Sequence, residues 1–256
     1  MSDMEIVAVS ALRDNYIWSV TEGTRCVVVD PGEAAPVLQF LQSRTLHLHA
    51  ILLTHRHADH QGGVAHLLAH QQVPVFGPAS LAMPLVTHCV TDDTSIHLEG
   101  FEHPVHVLAV PGHTEEHLAY RWADHLFCGD TLFGAGCGRL LGGTAEQLFA
   151  SLQRLAALPA DTQVCCAHEY TLSNLAFAQA VEPSNAALAS RLESSRELRS
   201  RGLPTVPSSL REELATNPFL RCSVQAVRDA AQTSAGLLLE SPQAVFAALR
   251  SWKDHF

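Results

Sequence analysis

Short apolar runs separated by turn residues fill the first two thirds of the chain, and this pattern predicts β-strands. The β-branched run Cys26-Val27-Val28-Val29, for example, is closed by Asp30-Pro31-Gly32. The predicted strands cover residues 4–9, 16–20, 26–29, 50–53, 73–76, 104–110, 118–122, 125–128 and 164–167. Helical spacing predicts helices over 34–43, 61–71 and 144–157, the last with Thr144 as N-cap and Gln147 at the capping-box position.

The pattern changes after Tyr170, where only helices are predicted. They cover residues 171–181, 185–201, 208–215, 223–235 and 241–251, and prolines separate them. Charge changes at the same place: residues 1–170 hold 7 Lys and Arg against 18 Asp and Glu, whereas residues 171–256 hold 9 against 8. We therefore expect an acidic metal-binding catalytic domain over 1–170 and a helical substrate-binding domain over 171–256.

Composition excludes several classes of protein. Of the 256 residues, 47% are hydrophobic and 16% are charged, which is typical of a folded globular chain. The net charge of -10 argues against non-specific nucleic-acid binding, and no apolar run approaches the roughly 20 residues of a membrane span. The acidic start of the sequence does not resemble a signal peptide. We expect a monomeric cytoplasmic protein that binds neither nucleic acid nor membrane.

The cysteines and the histidines of the chain lead to different predictions. The seven cysteines include no C-x-x-C pair, so we expect buried reduced thiols rather than disulfides or a thiolate metal site. Histidine is unusually frequent, with sixteen residues. For most of them we expect a structural role, because a lone histidine seldom binds a metal. These are His47, His49, His66, His70, His88, His97, His103, His106, His117, His125 and His255.

Metal-ligand side chains are concentrated in the turn from Thr54 to His60, which follows the apolar run 50–53. Its spacing, H-x-H-x-D-H, supplies His55, His57, Asp59 and His60. Four ligands this close are difficult to satisfy around one tetrahedral ion that must also keep a position open for water. The turn therefore favours two metal ions over one.

Three later strands also end at metal-ligand residues, namely His113, Asp130 and His168. Functional groups in layered α/β folds gather beyond strand ends, so we expect all seven residues at one edge. We assign His55, His57 and His113 to one ion, Asp59, His60 and His168 to the other, and Asp130 to both as a bridge. These ligands suit Zn, Fe or Mn. Water between two such ions becomes a nucleophile near neutral pH, with Asp59 and Asp130 as catalytic residues, so the site is that of a hydrolase.

The order T-H-x-H-x-D-H, G-H-T, G-D-T and a strand-end histidine resembles the metallo-β-lactamase superfamily. Further motifs resemble one family within it, glyoxalase II or hydroxyacylglutathione hydrolase. They are Asp14-Asn15-Tyr16, Ala135-Gly136-Cys137-Gly138-Arg139, His168-Glu169-Tyr170-Thr171, Asn217-Pro218-Phe219-Leu220-Arg221 and the R-x-x-K tail from Arg250 to Lys253. The ligand motif alone indicates the superfamily, whereas these segments indicate the family.

The resemblance implies an α/β fold, an αββα sandwich followed by a small helical domain. It also implies two divalent ions, most often Zn, that hydrolyse S-D-lactoylglutathione to D-lactate and glutathione. In this family basic and aromatic residues hold the glutathione, and the matching positions here are Arg139, Tyr170, Arg250 and Lys253. The chain departs from the family pattern at Glu116, Leu141 and Gly142. An aromatic residue is common at position 141, so its absence puts one glutathione contact in question.

Other functions fit parts of the sequence. The acidic composition argues against a nuclease of the same superfamily, and the basic helical tail argues against a β-lactamase. A glutathione-dependent persulfide dioxygenase is closer, but such enzymes use one iron, whereas Asp59, His60 and His168 provide a complete second set of ligands. A non-catalytic module that binds metal or glutathione would bind without hydrolysing a thioester.

Overall fold

The computed structural model describes residues 4–256, so the first three residues of the acidic N-terminal stretch lie outside the described part. The chain forms two compact units. The first comprises Met1–Ala109, as far as described, with Glu116–Gly129, and the second comprises Val110–Glu115 with Asp130–Phe256.

The first unit contains a six-stranded mixed sheet in the order β1 to β6. Its strands are β1 (Glu5–Ala11), β2 (Asn15–Glu22), β3 (Arg25–Val29), β4 (His47–Leu52), β5 (Val75–Gly77) and β6 (His88–Cys89). The pairs β1–β2 and β2–β3 are antiparallel, and the pairs from β3 to β6 are parallel. Three helices belong to this unit: α1 (Ala34–Arg44), α2 (Ala58–Gln61) and α3 (Val64–His70). Apolar residues of α1 and α3, including Val37 and Leu67, pack with Val28 and Ile51 of the sheet in one core.

Four further strands of the first unit pair antiparallel in the order β7 to β10. They are β7 (Ser95–Ile96), β8 (Val105–Ala109), β9 (Leu118–Trp122) and β10 (His125–Gly129). The large side chains of Tyr120, Trp122 and Phe127 are fully buried here. The hydroxyl of Tyr120 donates to the carbonyl oxygen of Leu53 at 2.7 Å, which fixes the residue just before the metal-ligand turn.

The second unit is mostly helical. Its helices are α4 (Ala145–Ala156), α5 (Thr171–Val181), α6 (Ala186–Ser200), α7 (Leu210–Thr216), α8 (Gln225–Ala235) and α9 (Pro242–His255). Its strands are β11 (Leu132–Phe133), β12 (Gly136–Cys137), β13 (Gln163–Cys166) and β14 (Ser208–Ser209), with β11–β12 and β13–β14 paired antiparallel. Helix α4 begins at the predicted capping box, in which Thr144 and Gln147 satisfy each other's backbone N–H groups.

Each predicted strand and helix is present, usually to within two or three residues. The helix predicted over 61–71 is α3, and a four-residue helix that we did not predict, α2, precedes it, with Gly62 and Gly63 between the two. Here the backbone is crowded: a Cβ at Gly63 would lie 2.6 Å from the backbone nitrogen of Ala34 and 2.7 Å from the carbonyl oxygen of Pro31. The strands that we did not predict, β6, β7, β11, β12 and β14, have two residues each, too few to show alternation.

Among the described residues, no helix has both the length and the apolar character needed to cross a membrane. All seven cysteines are thiols outside any disulfide, as predicted, and all except Cys89 are buried.

Candidate metal centre and substrate cavity

The turn from Thr54 to His60 follows β4 and leads into α2, so the predicted ligands lie on a short loop between two regular elements. The Nε2 atom of His55 lies 2.9 Å from Nδ1 of His57. The Nε2 atom of His60 lies 3.5 Å from Oδ2 of Asp59. The four predicted ligands of the first unit therefore form two pairs, and in each pair the ligand atoms face each other.

Other residues of the first unit hold these ligands in place. Asp30, at the end of β3, accepts from the backbone N–H of Thr54 at 2.8 Å and from its hydroxyl at 2.7 Å. Its Oδ2 also lies 2.8 Å from Nδ1 of His60. A carboxylate oxygen accepts, so Nδ1 of His60 carries the proton and Nε2 is the nitrogen available to a metal. The side-chain amide of Asn15 donates to Oδ2 of Asp59 at 3.1 Å.

Asp30, Asn15 and His117 contact the predicted ligands, although the sequence did not identify them as site residues. The ring of His117 is buried and stacks on His55 with centroids 4.6 Å apart. Asp30 could have been found, because it ends a strand just as the predicted ligands do. The stacking of His117 depends on tertiary structure and leaves no signal in the spacing. Glu116, one of the departures from the family pattern, pairs with the side chain of Arg56 and accepts from its backbone N–H at 3.2 Å.

The second unit brings His113, Asp130 and His168 together. Oδ2 of Asp130 lies 3.4 Å from Nε2 of His113, and Oδ1 lies 3.4 Å from Nε2 of His168. The Nδ1 atom of His113 donates to the carbonyl oxygen of Arg139 at 2.8 Å, so its Nε2 is the nitrogen without the proton, as in His60. The two oxygens of one buried carboxylate thus face two different histidines.

This donor set matches the chemistry of a metal centre. Imidazole nitrogens whose other nitrogen already donates a hydrogen bond, together with carboxylates, are the ligands that Zn, Fe and Mn bind in proteins. The histidine and aspartate clusters of this chain therefore fit a binuclear metal centre.

A cavity of about 560 Å³ lies within the second unit, and its lining includes His113 and Asp130. The four predicted substrate-binding residues, Arg139, Tyr170, Arg250 and Lys253, all line it. The structure therefore brings them together beside two of the predicted metal ligands. Leu141, where an aromatic residue was expected, also lines the cavity, and its backbone N–H donates to the carbonyl oxygen of His113 at 2.8 Å.

The cavity has a cationic end. Burial, followed by the neighbouring charges of Arg250 and Arg139, lowers the pKa of Lys253 below its usual value. Arg250 is buried, and its Nη1 donates to the carbonyl oxygens of Cys137 at 3.0 Å and Gly138 at 3.3 Å. Three cations near one another favour an anionic ligand, whose binding would relieve their repulsion.

Two aromatic residues, Phe133 and Tyr170, also line the cavity. The ring of Tyr170 stacks on the predicted metal ligand His168, with centroids 4.7 Å apart and an angle of 6° between the planes. Phe133 contacts both rings edge-on at 5.8 Å and 5.3 Å. This packing restricts the rotation of the His168 imidazole, and it directs one face of the cavity toward apolar parts of a ligand.

Comparison with known proteins agrees with this geometry. A model of the metallo-β-lactamase superfamily matches residues 12–168, and a model of the hydroxyacylglutathione hydrolase C-terminus matches residues 169–256. A hydroxyacylglutathione hydrolase of Halorhodospira halophila is 54% identical and covers 96% of each chain.

Two solved structures are also similar. ETHE1 from Myxococcus xanthus has a TM-score of 0.63 at 23% identity, and the match covers 98% of each chain. A di-iron-bound form of TTHA1623 has a TM-score of 0.54 at 32% identity, covering 64% of this chain and 91% of that one. The predicted fold, a metallo-β-lactamase-like domain followed by a helical C-terminal region, is confirmed. The chain belongs to the hydroxyacylglutathione hydrolase family of the metallo-β-lactamase superfamily.

Proposed function

We propose that this protein hydrolyses the thioester S-D-lactoylglutathione to D-lactate and glutathione. The observation that carries the proposal is a cavity of about 560 Å³ that joins metal-ligand residues to a cluster of cations. Glutathione has two carboxylates that match the cations, and its thioester would then extend toward His113 and Asp130. The full-length relative from Halorhodospira halophila carries the name of this activity.

We further propose that all seven predicted ligands bind two ions. The two pairs within the first unit support the partition: His55 with His57, and Asp59 with His60. Asp130 faces His113 with one oxygen and His168 with the other, as a bridging carboxylate would. We assign His55, His57 and His113 to one ion, Asp59, His60 and His168 to the second, and Asp130 to both.

Two divalent ions held by these residues would supply an acidified water and polarise the thioester carbonyl group. Zn is our first choice for their identity. Iron and manganese suit the same ligands, and a solved relative at 32% identity is in a di-iron-bound form. The domain boundary between residues 170 and 171 also stays a prediction, supported by the two family models that meet at residues 168 and 169.

The residues of the chain have distinct parts in this reaction. Arg139, Lys253 and Arg250 attract the glutathione carboxylates, and the ring of Tyr170 lies along the peptide. Asp59, whose Oδ2 is fixed by Asn15, orients the attacking water. The water gives up its protons to solvent as its oxygen bonds to the carbonyl carbon and D-lactate forms as the carboxylate. The C–S bond breaks, and glutathione leaves as a thiolate that takes up one proton from solvent. A thiolate is a good leaving group, so no strong general acid is needed.

The decisive experiment measures S-D-lactoylglutathione hydrolysis and metal content in the same purified sample. We expect turnover, measured as the loss of thioester absorbance, in a sample that contains two ions per chain. Two bound ions and no turnover would reject the proposed function and favour a metal-binding module. Turnover with one ion per chain would reject the ligand partition and leave the hydrolase function intact.

The location of the protein, its oligomeric state and its other partners remain predictions. We infer a cytoplasmic location because buried reduced thiols, such as those of Cys26 and Cys166, are typical of proteins in a reducing compartment. A monomer and the absence of nucleic-acid or membrane binding stay predictions from the composition of the chain.

A further inference from the structure

The carboxylate of Asp254 lines the cavity together with the three cations. Asp254 lies on α9, one helical turn beyond Arg250, and its Oδ1 accepts from Nη2 of Arg250 at 2.9 Å. The same oxygen lies 3.8 Å from Nε of Arg139. A single carboxylate oxygen of the chain thus lies between the two guanidinium groups expected to bind substrate.

The two arginines differ in how firmly they are held. Arg250 is buried and is anchored by the carbonyl oxygens of Cys137 and Gly138. The side chain of Arg139 is 70% exposed, and its ion pair with Asp254 is long. Asp254 therefore connects a fixed cation to one that can move, and the weaker of its two contacts can be given up at little cost.

The chemistry of this contact matches that of the ligand. A carboxylate between two guanidinium groups is the same arrangement that a glutathione carboxylate would form with them. A bound ligand must therefore share the guanidinium donors with Asp254 or replace it. It must also approach the negative charge of Asp254 itself, which costs free energy because like charges repel.

We propose that Asp254 is an internal counter-ion that occupies the arginine pair and weakens the binding of glutathione carboxylates. The identity of the ligand rests on the proposed function. Asp254 raises the KM and Kd of substrate and product together, because both carry the same glutathione group. Uniformly tighter binding would lower KM without raising the rate of the chemical step, and it would slow release of glutathione. Asp254 thereby adjusts affinity so that the product leaves.

The test compares Asp254→Asn with the wild type. The substitution removes the charge and nearly preserves the shape of the side chain. Calorimetry with glutathione gives Kd, and steady-state kinetics with S-D-lactoylglutathione give KM and kcat. Removing one like charge within a few ångströms of the ligand is expected to lower both Kd and KM about fivefold, with no gain in kcat. The effect should shrink as salt is added, because salt screens the charge.

Asp229→Asn is the matched control. It makes the same chemical change on α8 of the same unit, at an exposed carboxylate that accepts from Gln225 at 2.8 Å. We expect Kd and KM to stay at their wild-type values in this variant. Asp254→Ser also removes the charge, with a smaller side chain. We expect Kd and KM to fall in this variant too.

Several results of the Asp254 experiments would contradict the proposal or the proposed function, and they can be told apart. If Asp254 only held Arg250 in place, Asp254→Asn would weaken glutathione binding and raise KM, and this outcome or unchanged constants would overturn the proposal. Failure of both Asp254 variants to fold would also overturn it, because Asp254 would then be structural. Tighter glutathione binding in Asp254→Asn, but no thioester hydrolysis by the wild type, would reject the proposed function and support the counter-ion.

Discussion

The Nδ1 atom of His60 lies 2.8 Å from Oδ2 of Asp30, and both side chains are buried. This contact fixes the tautomer and the orientation of the imidazole, so Nε2 is presented as a ligand. The arrangement connects the end of β3 to the metal-ligand turn through a single carboxylate. It makes Asp30 a residue that positions a ligand without being one of the predicted seven.

We expect Asp30→Asn to weaken metal binding by about 10- to 100-fold, because the orienting acceptor of His60 is lost. The measurement is chelator competition, with metal content determined at each chelator concentration. Asp124→Asn is the control, since Asp124 contacts His125 at 2.8 Å in an exposed pair of the same unit. Equal metal affinity in the two variants would show that Asp30 does not position His60.

Asp130→Asn tests the bridging carboxylate. An amide offers one acceptor oxygen, so the variant cannot present an oxygen to both His113 and His168 as Asp130 does. We expect metal content to fall from two ions per chain toward one and kcat to fall by at least about 100-fold. Full turnover with full metal content would rule out the bridging role.

The lowered pKa of Lys253 predicts a pH dependence of binding. Burial is the main cause of the shift, followed by the charges of Arg250 and Arg139. The protonated form binds anions, so affinity should decline as pH rises through a pKa below that of an ordinary lysine. S-Methylglutathione is a suitable probe because it has no free thiol to titrate. We expect its Kd to rise about tenfold on the alkaline side, since a charge-assisted hydrogen bond is lost.

Lys253→Arg provides the check on this assignment. A guanidinium stays charged across the same pH range, so the alkaline weakening should disappear in the variant. An identical alkaline decline in Lys253→Arg would mean that another group titrates.

A buried ion pair supports the loop between β11 and β12. Glu213 is fully buried, pairs with Arg191, and accepts from the backbone N–H of Ala135 at 2.9 Å. Burial is the largest single influence and lowers the pKa of Arg191, but the charge and the hydrogen bond of Glu213, together with the charge of Glu212, raise the pKa overall. Glu213→Ala would remove the buried partner of Arg191 and leave it only the contacts with Glu212 and Thr216. We expect the free energy of unfolding to fall by about 3–5 kcal/mol.

Urea denaturation measures this loss, and Arg211→Ala is the comparison. Arg211 pairs with Asp161 at 2.8 Å on the surface, where both side chains are mostly exposed. Removing that pair should lower the free energy of unfolding by less than about 1 kcal/mol. Similar losses in the two variants would contradict a special role for the buried pair.

The cysteines differ in their expected reactivity. Burial raises the pKa of Cys137 to about 11 and the pKa of Cys26 to about 12, so these thiols are protonated and shielded at neutral pH. Cys89 is exposed. An alkylating reagent should therefore label one thiol of the folded protein, and Cys89→Ser should abolish that label. Mass spectrometry counts the adducts, and several adducts before unfolding would contradict the burial of the other six.

Much of the fold was predictable because its signals are local. The longer strands of the first unit alternate or are continuously apolar over four or more residues, and the boundaries of α5 were predicted to the residue. The gap between α2 and α3 was not predicted. It arises because Gly62 and Gly63 lie against the backbone of residues 31–34, a contact between segments that are distant in sequence. The two-residue strands exist only through their partners.

For the candidate site, the sequence determined the chemistry. Ligand type and spacing are properties of the sequence, so they are sufficient to predict a metal-dependent hydrolase. The residues that carry this prediction are His55, His57, Asp59 and His60 in one turn and His113, Asp130 and His168 at later strand ends. Only the tertiary structure decided what surrounds those residues. It placed Asp30 behind His60, and it placed Asp254 between Arg139 and Arg250. Such contacts depend on distances between separately folded segments and on burial, and a periodic pattern along one chain carries neither.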